Sequence, residues 1–177
     1  MRNVILVFIV VVMVGCVAKT QMLTDYSTFD KETAENQMRP GKNTIKGSAL
    51  LRQAGGGVVT CAGNEVTLIP YSNYARERMT ALYPNESSGI NSFLPYSNPP
   101  MVERRFLSSD TDYERLLKKT QCNAQGFFTF DNLADGNYYI VTHILWYVGR
   151  GAPQGGSLMK KASVSGGETK EVVVTHP

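Results

Sequence analysis

Between Phe127 and Val148 the chain alternates. Phe128 and Phe130 are interleaved with Phe127 and Thr129; after the turn Asp135-Gly136, the residues Tyr138, Ile140, Thr142, Ile144 and Trp146 occupy every second position. A period of two is that of a strand with one face on a core, whereas helical apolar residues recur at spacings of three and four. The same signal surrounds this segment. Ile45, Gly47 and Ala49 alternate with polar neighbours, Gly55-Gly56-Gly57 turns the chain into Val58–Cys61, and Ala62-Gly63-Asn64 turns it into Glu65–Ile69, which Pro70 stops. Leu158–Val164, the turn Gly166-Gly167 and Thr169–Thr175 read as a closing hairpin. The expected fold class is all-β.

Other segments interrupt the pattern. Ser72 or Asn73 can cap a short helix running to about Tyr83, with Tyr74, Met79, Leu82 and Tyr83 on its inner side and Arg76, Glu77 and Arg78 toward solvent. Residues 84–100 hold four of the eight prolines and form a long irregular loop, expected to carry recognition through Tyr83, Phe93 and Tyr96. Tyr113–Cys122 fits a helix or a strand. Asn123-Ala124-Gln125-Gly126 reads as a hairpin turn, and Gly149–Gly156 as a flexible loop.

The amino terminus is of another kind. Arg2 precedes an apolar run from Val4 to Val14 that ends in Gly15-Cys16, the layout of a secretory signal and too short for a spanning helix of roughly 20 apolar residues. Met13-Val14-Gly15-Cys16 resembles the lipobox of bacterial lipoproteins, with Met13 in place of the usual leucine. The resemblance implies a signal peptide over 1–15, acylation of Cys16 (palmitate among the chains) and a mature chain that starts there. Val17 rather than aspartate follows the cysteine, which favours the outer membrane, on its periplasmic or surface face. Residues 16–43 are polar and end in the breaker Arg39-Pro40-Gly41-Lys42-Asn43, so they are expected as a lipid-anchored tether, with the domain proper over 44–177.

The run Gly126–Ile140 resembles the G-x-F-x-F-x-x-L-x-x-G-x-Y-x-I signature of carboxypeptidase regulatory-like domains, and Ile45-Lys46-Gly47-Ser48-Ala49 resembles their first strand. What this implies is an antiparallel transthyretin-like (prealbumin-like) β-sandwich of about seven strands, here with one short helical insertion. Phe128 and Phe130 then fill the core, Leu133 closes a corner and Gly136 permits the next turn. The signature speaks for a scaffold and not for an activity.

Little in the sequence points to catalysis. His143 and His176 are the only histidines; neither lies in the His-x-x-Glu pair of the metallocarboxypeptidases that carry such domains, and a zinc site needs three or four ligands together. No Gly-x-Ser-x-Gly elbow or phosphate loop occurs. No catalytic, cofactor-binding or metal residue is assigned. The net charge of +3 becomes +2 when Arg2 leaves with the signal, and the basic residues are interspersed with acidic ones. Nucleic acid is therefore no expected partner. The expected role is a non-catalytic envelope lipoprotein that presents its sandwich for structural or binding work. The alternatives are a carbohydrate-binding module, with Tyr71, Tyr74, Tyr96, Trp146 and Tyr147 as candidate stacking residues, or an accessory lipoprotein of a secretion or surface complex. The expected partners are accordingly the membrane, through the anchor, and an envelope protein or glycan. Once lipid takes Cys16, Cys61 and Cys122 remain, an even number in an oxidising compartment, each at a strand end. A disulfide between them is expected, the alternative being two separate buried thiols.

Overall fold

The computed structural model describes residues 20–25, 27–92, 103–149 and 153–176. Its elements are β1 (Thr20–Leu23), α1 (Lys31–Gln37), β2 (Pro40–Arg52), β3 (Val58–Thr60), β4 (Glu65–Pro70), α2 (Asn73–Leu82), β5 (Ser88–Asn91), β6 (Glu103–Phe106), α3 (Thr111–Arg115), β7 (Lys118–Gln121), β8 (Phe127–Leu133), β9 (Gly136–Tyr147), β10 (Pro153–Val164) and β11 (Thr169–Val174).

Two sheets form an all-β sandwich. The larger has the order β5-β10-β9-β4-β7 and is antiparallel throughout. The smaller is built on β2, which β11 joins in parallel register over Thr44–Ala49 and β8 joins antiparallel over much of the same stretch, while the last residues of β2 pair with β3. Because Ile45 pairs with both Lys170 and Phe130, β11 and β8 lie on opposite edges of β2. Between the sheets are the alternating residues anticipated from sequence: Ile45, Phe128, Phe130, Leu133, Tyr138, Ile140 and Ile144, joined by Val66, Leu68, Leu158 and Val174. Gly47 belongs to this inner face for a steric reason. A Cβ there would sit 2.4 Å from Phe128 Cζ and 2.7 Å from Val172 Cγ2, so the missing side chain makes the room that Phe128 fills.

Several expectations are corrected. The turn at 123–126 closes no hairpin: β7 belongs to the larger sheet and β8 to the smaller. The last two strands form no hairpin either, since β11 leaves β10 to lie parallel to β2. A Gly-containing turn tells where the chain reverses and not which neighbour the next strand chooses. The two sheets also hold nine described strands rather than about seven, and three helices are present, not one. Tyr113–Cys122 resolves its ambiguity by being both, the end of α3 and then β7.

A second apolar layer covers part of the larger sheet's outer face. Ser72 caps α2 by accepting from the Ala75 amide at 3.1 Å. The helix lays Tyr74, Met79 and Tyr83 against Ile69, Tyr139 and Met159, together with Tyr113 of α3 and Phe29. Arg78 does not face solvent. It lies four residues after Tyr74 and so on the same helical stripe, where its side chain is nine-tenths buried, 2.7 Å from Asp25, 2.8 Å from Ser109 Oγ and stacked 4.0 Å above the Phe106 ring. Within residues 16–43, expected as a tether, the described residues from Thr20 onward are tied into the fold. β1 pairs with β6 in parallel, Asp25 holds Arg78, Phe29 packs on Tyr74 and Tyr113, and Ala34 is wholly buried. Among the described residues no helix is long and apolar enough to cross a membrane.

Candidate functional site

The outer face of the smaller sheet is assembled by strand alternation. β2 turns Lys46 and Ser48 outward, β8 turns Phe127 and Thr129, and β11 turns Glu171 and Val173. Register then sets them in two rows: Glu171, Lys46 and Thr129 abreast, and Val173, Ser48 and Phe127 abreast. These six side chains border a shallow basin of about 580 Å³ whose floor is backbone at Gly47, Phe128 and Val172. Phe127 is 55 % exposed and Val173 52 %. The backbone that leads into Phe127 is fixed by the preceding turn. Asn123 Oδ1 accepts from the amides of Gln125 at 3.0 Å and of Phe127 at 2.9 Å. Gly126, at φ +84°, lets the chain leave that turn directly beneath Thr60.

The chemistry on offer is an aromatic face flanked by a cation, a carboxylate and two hydroxyls. That combination suits a ligand with an apolar side and a rim of hydroxyl groups. Among the described residues no group of three or more His, Cys, Asp or Glu is placed to hold a metal ion.

A second depression, of about 230 Å³, opens on the outer face of the larger sheet, beyond α2. Thr20, Asn91, Ser92, Arg105, His143, Leu145, Pro153, Gly155, Gly156 and Ser157 line it. Asn91 is committed there as a tie between strands, donating to the Arg104 carbonyl at 2.7 Å and accepting from the Arg104 amide at 3.0 Å.

The residues singled out from sequence do not converge on one site. Tyr74 is buried under Arg78, and Trp146 faces the core half-buried. Tyr71 lies beside Tyr139 with ring centroids 5.8 Å apart, under the Lys161 ammonium at 4.4 Å. Tyr147 projects into solvent at the far end of β9. Tyr83 is buried with its hydroxyl 2.7 Å from Ser157 Oγ, and burial pushes its pKa up to about 12. The expected recognition loop is partly a strand, since Ser88–Asn91 pairs with β10; Phe93 and Tyr96 lie outside the described residues, as does Cys16. Cys61 and Cys122 form the disulfide, with Cα atoms 5.8 Å apart. His143 is exposed on the solvent side of β9. Phe127, the exposed aromatic of the basin, has a sequence signal: it precedes the inward position Phe128 on an alternating strand, so it points out.

No family model matches the sequence, and no curated protein matches it. Among solved structures, the chain is similar to one from Pseudomonas aeruginosa described as a "putative carbohydrate binding protein", with a TM-score of 0.66 and 23 % identity over 86 % of this chain and all of that one. At that identity the likeness is one of fold.

Proposed function

We propose that the chain is a non-catalytic lipoprotein of the cell envelope, held at the outer membrane through Cys16, whose sandwich binds carbohydrate on the Phe127 face. The observation that carries the binding reading is the basin itself: Phe127, half exposed on a rigid strand, bordered by Lys46, Ser48, Thr129 and Glu171. A sugar ring presents C–H groups on one face and hydroxyls around its edge. The first can stack on Phe127, while the second can bond to the charged and hydroxyl side chains, where charge-assisted bonds are the stronger ones. Rigid placement lowers the ordering cost of binding. The description of the structural neighbour as carbohydrate-binding supports this reading. The lipoprotein part is supported by Met13-Val14-Gly15-Cys16 and by the disulfide, a bond that persists in oxidising compartments. The reading calls for no cofactor.

Titration of the protein with envelope polysaccharides and peptidoglycan fragments tests it. Phe127→Ala is expected to weaken glycan binding by about tenfold, the loss of one stacked ring at roughly 1.4 kcal/mol. Tyr147→Ala, on the opposite face, should leave binding unchanged. Equal affinity for wild type and Phe127→Ala would place the site elsewhere. Cys16→Ser should move the protein from the membrane to the soluble fraction; unchanged fractionation would remove the anchor.

A further inference from the structure

The anchor and the fold together constrain how the sandwich sits. β1 is paired with β6 from Thr20 onward, and Asp25 is clasped by the buried Arg78. Only residues 17–19 separate Cys16 from that fixed point. Four residue steps span at most about 14 Å even when fully extended. The start of β1 must therefore lie against the lipid headgroups.

The surface around that point has the composition such a position demands. Thr20 lines the depression on the larger sheet together with Arg105 and Leu145. Leu145, Tyr147 and Val148 are exposed by 55 %, 74 % and 54 % at the end of β9, and Met22, the register partner of Arg105, is exposed as well. Half of the large apolar side chains exposed among the described residues thus belong to this one end. Tyrosine is favoured at the level of headgroups, where its ring meets apolar groups and its hydroxyl meets water.

We infer that the Met22, Arg105, Leu145, Tyr147 and Val148 surface rests on the headgroup layer of the membrane that holds the anchor, so that the domain is docked on phospholipid. This rests on the lipoprotein reading proposed above. The apolar contact adds to the acyl chains, and it fixes an orientation that acyl chains alone leave free.

The test uses the full acylated chain in vesicles of phosphatidylcholine and phosphatidylglycerol, with a nitroxide on Tyr147→Cys or, in a second sample, on Val173→Cys. Both positions are exposed, so neither label disturbs packing. The label at 147 is expected to lose most of its accessibility to a water-soluble nickel complex and to gain accessibility to oxygen, while the label at 173 stays aqueous. If the chain floats with the vesicles and both labels remain equally aqueous, docking is overturned and the anchor stands. A chain that does not float and carries no lipid by mass spectrometry overturns the anchor reading, and docking with it. A label at 147 shielded equally in detergent, with dipolar broadening, would show a second copy of the chain on the patch and would overturn the lipid assignment.

Discussion

Asn43 illustrates how one residue can hold three segments. Its side chain is buried, and all of its polar capacity is used. The amide donates to the Leu133 carbonyl at 3.0 Å and to Asp135 Oδ1 at 2.8 Å, and the oxygen accepts from the Gly167 amide at 2.8 Å and the Glu168 amide at 3.0 Å. β2 is thereby tied to the corner after β8 and to the turn after β10. Asn43→Ala leaves those partners unmet in a buried place, so a loss of about 2–3 kcal/mol is expected in urea unfolding. A loss below about 0.5 kcal/mol would mean that water replaces the amide at no cost. Buried phenols set a second residue-scale expectation. Tyr83 and Tyr138 are held protonated by burial, with pKa values pushed up to about 12. In the unfolded chain they ionise near 10. Between these values the unfolded state has released protons that the native state keeps. Stability is therefore complete below about pH 10 and falls as pH rises toward 12, by up to about 1.4 kcal/mol per pH unit for Tyr83. Urea midpoints measured across that range should decline, and Tyr83→Phe should flatten the decline. A pH-independent midpoint would contradict the assignment.

Among the elements, the disulfide clamps the two places where the chain crosses between sheets at one end of the sandwich. Cys61 follows β3 just before the chain passes to β4, and Cys122 follows β7 just before it passes to β8. Backbone bonds reinforce the junction, from the Gly63 amide to the Cys122 carbonyl at 3.1 Å and from the Cys122 amide to the Asn64 carbonyl at 2.9 Å. With a sequence separation of 61, the bridge is expected to stabilise the fold by about 4 kcal/mol in the chain-entropy account. The double variant Cys61→Ser, Cys122→Ser should lose a comparable amount in thermal or urea unfolding, and an unchanged midpoint would assign the crossing entirely to backbone pairing. The elements differ in how far the sequence disclosed them. Strands with a buried face, such as β8 and β9, were legible because a period of two shows directly which residues point inward. Helix α2 was legible from its cap, and the bridge from parity and compartment. Pairing was not. β11 parallel to β2, and β1 parallel to β6, are choices between distant segments on which no local signal bears. Arg78 was misread because a charge in an apolar stripe is indistinguishable from a solvent-facing residue until its partner, Asp25, is placed. The six-residue face around Phe127 was half legible: each strand gives its own outward residues, while only register brings three strands' residues into rows.

At the scale of the molecule, the two sheets set their outer faces back to back. The Phe127 rows leave the smaller sheet, and the Leu145–Val148 surface leaves the larger one. A domain resting on lipid by the second would present the first away from the membrane, where a polymer can reach it. That orientation requires residues 20–38 to be part of the folded unit and not a free leash, and this can be checked without lipid. A chain that begins at Thr20 retains Asp25, Phe29 and α1; one that begins at Arg39 lacks all three. In the shorter chain Arg78 loses the carboxylate of Asp25, and breaking a buried pair on one side costs up to about 3–5 kcal/mol. Loss of the Phe29 ring from its contacts with Tyr74 and Tyr113 adds about 1.5–3 kcal/mol. The chain from Arg39 is therefore expected to unfold at a much lower urea concentration than the chain from Thr20. Introducing Arg78→Met should restore part of the difference, because methionine fills the site without a charge that needs pairing. Equal midpoints for the two chains would return residues 20–38 to the role of a tether and release the domain from the membrane surface.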